Sequence, residues 1–325
     1  MKRQYLPGIV LFLLILLVTA SCQRDEERSV KEKKLIVITT LFPLYDFARN
    51  ITGDSATVSL LLPPGVEAHS FEPKAGDMVK INGADIVFYT GKYMEPWVED
   101  ILRGVDNKGL LVVDTSKGVI TLVGGGNDHH DQDTAKTVKH KETGGDGHGR
   151  IDPHIWLDFA NAQKMVDNIV LALITKDPAN KDFYTRNAEA YKAKLNDLDR
   201  RFREGLSTCQ KHTFVHGGHS AFNYLAKRYN LQYVSAYHGS PDSEPTPKQL
   251  IALKKTLQEH GVRFIYYEEL ITPRVSEILA GETGAKPLKL HGAHNVTKEE
   301  FAKGISFLSI MEENLANLKV GLECR

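Results

Sequence analysis

Residues 180–206, "NKDFYTRNAEAYKAKLNDLDRRFREGL", contain no proline, and their only glycine stands near the end. Phe183, Ala190, Tyr191, Leu195, Leu198 and Phe202 recur at spacings of three, four and seven. That pattern predicts one amphipathic helix, about 40 Å long. A flexible joint would be richer in glycine and serine, so this connection should be stiff. Before it, short apolar or β-branched runs at 35–40, 57–62, 85–90 and 110–114 alternate with segments of helical spacing such as "PLYDFARNI" and "EPWVEDILRGV". After it, runs at 213–216, 231–236, 263–267 and 286–291 alternate in the same way with "SAFNYLAKRY", "TPKQLIALKKTLQEHG", "TPRVSEILAGETG" and "ISFLSIMEENLANLKVGL". Strand–helix alternation argues for mostly parallel sheets covered on both faces. The expected fold class is α/β, with two similar lobes at 34–179 and 207–325 joined by one rigid helix at 180–206. A length of 325 residues is ample for two such cores. No sequence repeat relates the halves.

The N-terminus has a different character. "MKRQYLPGIVLFLLILLVTASC" has a basic start, an apolar run shorter than the roughly 20 residues of a membrane span, and small residues before Cys22. This is the layout of an export signal, 1–22. "TASC" resembles the bacterial lipobox, which implies cleavage before Cys22 and its lipidation; Thr19 stands where leucine is usual. The charged stretch 23–33 reads as a tether. In an exported protein Cys209 and Cys324 can oxidise, and the sequence leaves open a disulfide or two free thiols. The formal net charge is zero, which gives no general electrostatic case for nucleic acid. The segment 124–149, "GGGNDHHDQDTAKTVKHKETGGDGHG", has no apolar periodicity and is expected to be a surface loop. Its His129, His130, His140 and His148 form a candidate auxiliary weak metal site.

Ligands of open α/β sheets bind beyond the carboxyl ends of strands. His69 in "PPGVEAHSFEP", His219 in "VHGGHSAF" and His291 in "KPLKLH" lie just past, or end, predicted strands, and His154 in "DPHIWLD" precedes a new helix. Two come from each half, so the four could meet in one cleft. Zn²⁺ takes four ligands at tetrahedral corners, and neutral imidazole is a good one. In "VHGGH", His216 belongs with the strand and His219 with the turn, which favours His219. His212, His238 and His260 read as ordinary surface or hydrogen-bonded histidines.

"PPGVEAHSFEPKAGDMVKINGADIVFYTG", "DPHIWLD" and "HSAFNYLAKRYNL" closely resemble, in order, the ligand motifs of the zinc- and manganese-binding proteins of bacterial ABC importers. "SEPTPKQLIALKK", "YYEELITPRVSEILAGETGAK" and the last helix extend the likeness over nearly all of the mature chain, most like zinc-uptake components. The resemblance implies a cluster A-I type fold: two lobes, a rigid backbone helix, and metal in the cleft. It implies a monomeric lipid-anchored receptor, outside the cytoplasmic membrane, delivering metal to a permease driven by a separate ATPase. His69, His154 and His219 carry over as ligands. Many relatives have an aspartate where "PLKLHGAHN" here puts His291, which makes His291 the expected fourth ligand and His294 the reserve. Glu268 matches a family glutamate and is expected to accept an imidazole N–H from behind the site.

Four imidazoles with no carboxylate ligand favour Zn²⁺ over Mn²⁺, which prefers oxygen, and would leave the ion's +2 charge uncompensated. The protein is expected not to be an enzyme: four protein ligands leave no open position for water, and there is no H-E-x-x-H. The alternatives are a Mn²⁺ receptor of the same family, a surface adhesin, as some relatives are labelled, and a zinc hydrolase.

Overall fold

The computed structural model describes residues 34–123, 151–237 and 244–325. The export signal with Cys22, the tether, and the loop histidines His129, His130, His140 and His148 lie outside the described residues. Residues 35–325 form one compact unit. Among the described residues no helix is long and apolar enough to cross a membrane.

The first sheet contains β1 (Leu35–Thr39), β2 (Ala56–Leu60), β3 (Ile86–Tyr89) and β4 (Leu111–Asp114) in the order β2-β1-β3-β4, all parallel. The second contains β5 (Thr213–His219), β6 (Gln232–Tyr237), β7 (Phe264–Tyr267) and β8 (Lys286–Lys289) in the order β6-β5-β7-β8, again parallel. The strand order is the same in both, so each lobe has one crevice where chain direction reverses, between its two central strands. Crossovers in the first lobe are made by α1 (Phe42–Thr52), α2 (Ala75–Asn82) and α3 (Val98–Leu102). Those in the second are α6 (Asn223–Arg228), α7 (Pro247–Glu259) and α8 (Arg274–Thr283), followed by α9 (Lys298–Ala302) and α10 (Phe307–Gly321). Pro247 opens α7, where a missing N–H costs nothing, behind a Thr246/Gln249 capping box.

Between the sheets run α4 (Phe159–Lys176) and α5 (Lys181–Leu206). The 26 residues of α5 span about 39 Å. Its buried apolar face is Tyr184, Ala188, Tyr191, Leu195, Leu198, Phe202 and Leu206, at steps of three or four. Two of the residues expected on that face lie elsewhere: Phe183 is half-buried and Ala190 exposed, because neighbours one residue apart point about 100° apart on a helix. The helix is held from both lobes. Asn187 donates to Ile51 O at the end of α1, and Tyr191 Oη donates to Asp46 at 2.8 Å. Arg201 pairs with Glu312 of α10. Asp199 takes a bidentate pair from Arg228 of α6 at 2.6 and 2.7 Å. One core runs through both lobes, and in it Phe47 of α1 meets Phe307 of α10 edge-on at 5.1 Å. The stiffness of this join is therefore a matter of packing, not only of helix length. Cys209, just past α5, is bridged to Cys324 at the chain's end.

Candidate metal centre

Four segments, two from each lobe, each bring one imidazole inward. His69 lies in the long loop after β2, where Glu67 Oε2 accepts from the His69 and Ser70 amides at 2.6 and 3.0 Å. His154 precedes the short 3-10 turn Ile155–Leu157, and Asp152 Oδ1 accepts from its amide at 2.9 Å. His219 ends β5, where the pairing with β6 shifts register between His216 and His219. Glu268, just after β7, accepts from the His219 amide at 2.8 Å. The two glycines of "VHGGH" are needed here. A Cβ on Gly218 would lie 1.9 Å from Glu268 Oε1, and one on Gly217 would lie 2.2 Å from Ser276 Oγ.

The fourth ring is that of His294, not His291. Ligand atoms of His69, His154, His219 and His294 all lie within 4.8 Å of one another. The expectation for His291 fails for a local reason. Asn314 brackets its backbone, accepting from His291 N and donating to His291 O, both at 2.8 Å. Its ring Nδ1 accepts from Ala293 N at 2.9 Å, and its Nε2 faces Glu300 at 3.7 Å, away from the cluster. The chain then reverses: Ala293 adopts φ +58°, and the His294 ring folds back over Gly292. A Cβ on residue 292 would lie 2.3 Å from His294 Cε1, so only glycine leaves that space. His216 also stays out. It is fully buried in the strand, its Nδ1 is 3.2 Å from His219 O, and its ring rests against Phe222.

The arrangement is close to a regular tetrahedron of rings. The six centroid distances run from 4.8 Å (His154–His294) to 5.6 Å (His69–His294). His154 Nε2 is 3.3 Å from His69 Nε2 and 3.2 Å from His219 Nε2. Four Zn–N bonds of about 2.0–2.1 Å at tetrahedral angles put the nitrogens about 3.3 Å apart and the ring centres about 5 Å apart.

On three of the rings the other nitrogen faces a carboxylate. His154 Nδ1 is 2.7 Å from Asp152 Oδ1, and His219 Nδ1 is 2.7 Å from Glu268 Oε2, though off the line of a regular hydrogen bond. His294 Nδ1 is 3.5 Å from Glu269 Oε1, whose other oxygen accepts from Gly292 N at 2.8 Å. A carboxylate on Nδ1 fixes the tautomer and leaves Nε2 a bare lone pair. His154 and His219 thus aim lone pairs at each other at 3.2 Å, and the buried His294 Nε2 has no hydrogen-bond partner among the described residues. A cation between them relieves both conditions.

Charges follow the same plan. Burial, then the neighbouring imidazoles, hold His69 and His154 well below the ordinary histidine range, which keeps them neutral, with a lone pair free of protons for a metal. Burial also lowers His294, but its bond to Glu269 and the charges of Glu269, Glu268 and Glu67 outweigh that and raise it. Burial would raise Glu269 too, yet His291 and His294 hold it at about 2, and His219 keeps Glu268 low in the same way. Burial lifts Asp152 to about 6 against the bonds from the His154 amide and Asn223. The centre is therefore not the uncompensated one expected from four neutral rings, since carboxylates stand directly behind three of them. Sequence reasoning found Glu268 but missed Asp152 and Glu269. The available signals were the carboxylate two residues before His154 in "DPH" and the doubled acid in "YEEL".

Comparison with known proteins gives concordant relatives. A family model described as the periplasmic zinc-uptake complex component A matches residues 37–321. The high-affinity zinc uptake system protein ZnuA of Bacillus subtilis (strain 168) is 36% identical over 318 residues, 97% of each chain. The zinc-binding protein AdcA of Streptococcus pyogenes serotype M3 is 32% identical over 96% of this chain, which spans only 61% of that longer protein. The Zn(II)-bound ZnuA-like domain of Streptococcus pneumoniae AdcA superposes with a TM-score of 0.74 at 33% identity, over 90% of this chain and 100% of that one. With a match that runs from the first strand to the end of the last helix, the chain belongs to the zinc-uptake complex component A family.

Proposed function

We propose that this protein is the extracytoplasmic receptor of an ABC importer, capturing Zn²⁺ through His69, His154, His219 and His294 and delivering it to a permease driven by its ATPase. The observation that carries the reading is the near-tetrahedral set of four imidazole rings with centroids 4.8–5.6 Å apart. The relatives named for zinc uptake and zinc binding support the choice of ion. All-nitrogen donors suit Zn²⁺ better than Mn²⁺, which gains from oxygen ligands. The role of Asp152, Glu268 and Glu269 is to orient the rings and balance the ion's charge. A hydrolase reading is disfavoured, because four rings fill the tetrahedral positions and each of these three buried carboxylates is engaged at an imidazole. The working form is a monomer, held to the membrane through lipidated Cys22.

X-ray absorption on the zinc-loaded protein tests the reading. Four nitrogens at about 2.0–2.1 Å are expected. Three nitrogens with a water oxygen, or a first shell dominated by oxygen, would remove His294 from the ligand set. Unimpaired growth of a deletion strain in zinc-depleted medium would remove the transport role.

A further inference from the structure

Two of the four rings, those of His69 and His294, belong to different lobes, and no strand or helix joins their loops. Asn295, next to His294, does. It is fully buried, and its amide nitrogen donates to Pro63 O at 2.7 Å and to Val66 O at 2.9 Å, both in the loop that carries His69. Its oxygen accepts from Val296 N at 2.9 Å, which fixes the amide's orientation. Gly65 N donates to Val296 O at 2.8 Å, and Phe42 N donates to His294 O at 3.2 Å. Every one of these bonds crosses between lobes except the local one to Val296 N, and none uses a ring atom of the metal site.

From this, and resting on the metal-receptor reading above, we infer that Asn295 is a positioning residue. It clamps the His69 loop of the first lobe to the His294 loop of the second and so sets the separation of those two rings. The pair it governs is the widest of the six, at 5.6 Å. The opposite pair, His154 and His219, has its own cross-lobe ties: Asn223 to Asp152 at 2.9 Å, and Tyr224 Oη to Asp152 O at 3.0 Å. Both edges of the site are thus tied across the lobes by protein–protein bonds, and loosening the Asn295 clamp frees His69 and His294 relative to each other.

The chemistry dictates the variant. Asn295→Asp keeps the size of the side chain but replaces both donated bonds by an oxygen facing two carbonyl oxygens. The full-length protein is loaded with Zn²⁺ for dissociation kinetics, and with Co²⁺ for its visible d–d bands. Expected for Asn295→Asp is zinc release faster by about tenfold or more, the scale on which supporting residues of metal sites act. The Co²⁺ bands should lose the intensity of a four-coordinate centre. Asn187→Asp, which breaks a cross-helix bond to Ile51 O far from the rings, should change neither. A folded Asn295→Asp protein with wild-type release and wild-type bands would overturn the clamp and leave the receptor reading standing. A wild-type protein that fails to bind zinc tightly would overturn both. If Asn295→Asp does not fold, amide exchange on the metal-free wild type decides. The Gly65 amide should be strongly protected, and exchange there at the rate of an open loop would overturn the inference.

Discussion

The two lobes share a strand order and each buries a glutamate across the ends of its central strands, yet the two carboxylates do different things. In the first lobe Glu95 accepts from Thr40 Oγ1 after β1 and from the Thr90 and Gly91 amides after β3, at 3.1–3.2 Å for the backbone bonds. Every donor belongs to its own lobe, and the crevice is closed. In the second lobe Glu268 accepts from the amide of His219 at the end of β5 and keeps its other oxygen for the His219 ring. Burial drives Glu95 up to about 7 in spite of its hydrogen bonds. The same burial acts on Glu268, but the facing imidazole wins and its pKa falls. One topology thus offers a position for a carboxylate, and the identity of the donors decides whether it seals a lobe or aims a ligand.

The sharpest way to break this contrast is Gly218→Ala. A Cβ there would sit 1.9 Å from Glu268 Oε1, so the carboxylate must leave the His219 ring. Zinc affinity, by competition with a chromogenic chelator, should fall about 100-fold, at the upper end for supporting residues. An unchanged affinity would mean that Glu268 does not orient His219.

The next effect is on stability and concerns the first lobe alone. Glu95 has a folded pKa of about 7 against an ordinary 4.5, so between those values the folded state holds a proton that the unfolded state has released. Stability from this group is therefore present at low pH and lost as pH rises toward 7. Glu95→Gln removes the titration. The unfolding free energy of the wild type minus that of Glu95→Gln should decrease by about 2 kcal/mol from pH 5 to pH 7, measured by urea denaturation of the metal-free proteins. The histidines titrate in both proteins and cancel in the difference. A pH-independent difference would show that the Glu95 carboxyl is not lifted by burial.

The smallest effect separates the two glutamates directly. Glu268→Gln keeps an acceptor for the His219 amide but weakens the charge behind the ring, and zinc affinity should fall about tenfold. Glu95→Gln should leave zinc affinity within about twofold, because none of its bonds reaches a ring. If the two substitutions weaken zinc equally, the carboxylates do not differ in role, and the contrast between the lobes fails.

Periodicity alone made the strands, the alternating helices and the long α5 legible, because each of those signals is carried by residues close together in the chain. "LIVITT" and "DIVFYT" became β1 and β3 within a residue or two, and the 180–206 run became Lys181–Leu206. The placement of His69 and His219 at or beyond the carboxyl ends of strands, and of His154 just before a helical turn, was legible for the same reason, since the end of an element is a local fact. Other features were invisible because they depend on partners distant in sequence. Glu269 and Asn295 look like ordinary polar loop residues until the fold puts a ring or a carbonyl beside each, and Asp152, although two residues from His154, is held in place by Asn223 and Tyr224 far along the chain.

The sequence by itself determined the α/β alternation, the stiff join, the supply of histidines at the strand ends and the chemistry those rings favour. Only the tertiary structure decided which ring completes the set. His291 and His294 stand three residues apart in one loop, and both are buried. Asn314, on α10, locks the backbone of the first and turns its ring toward Glu300. The absent Cβ at Gly292 and the left-handed turn at Ala293 let the second fold back to meet Glu269 and the other three rings. A side chain's direction in an irregular loop is set by what the loop packs against, and spacing along the chain does not encode that.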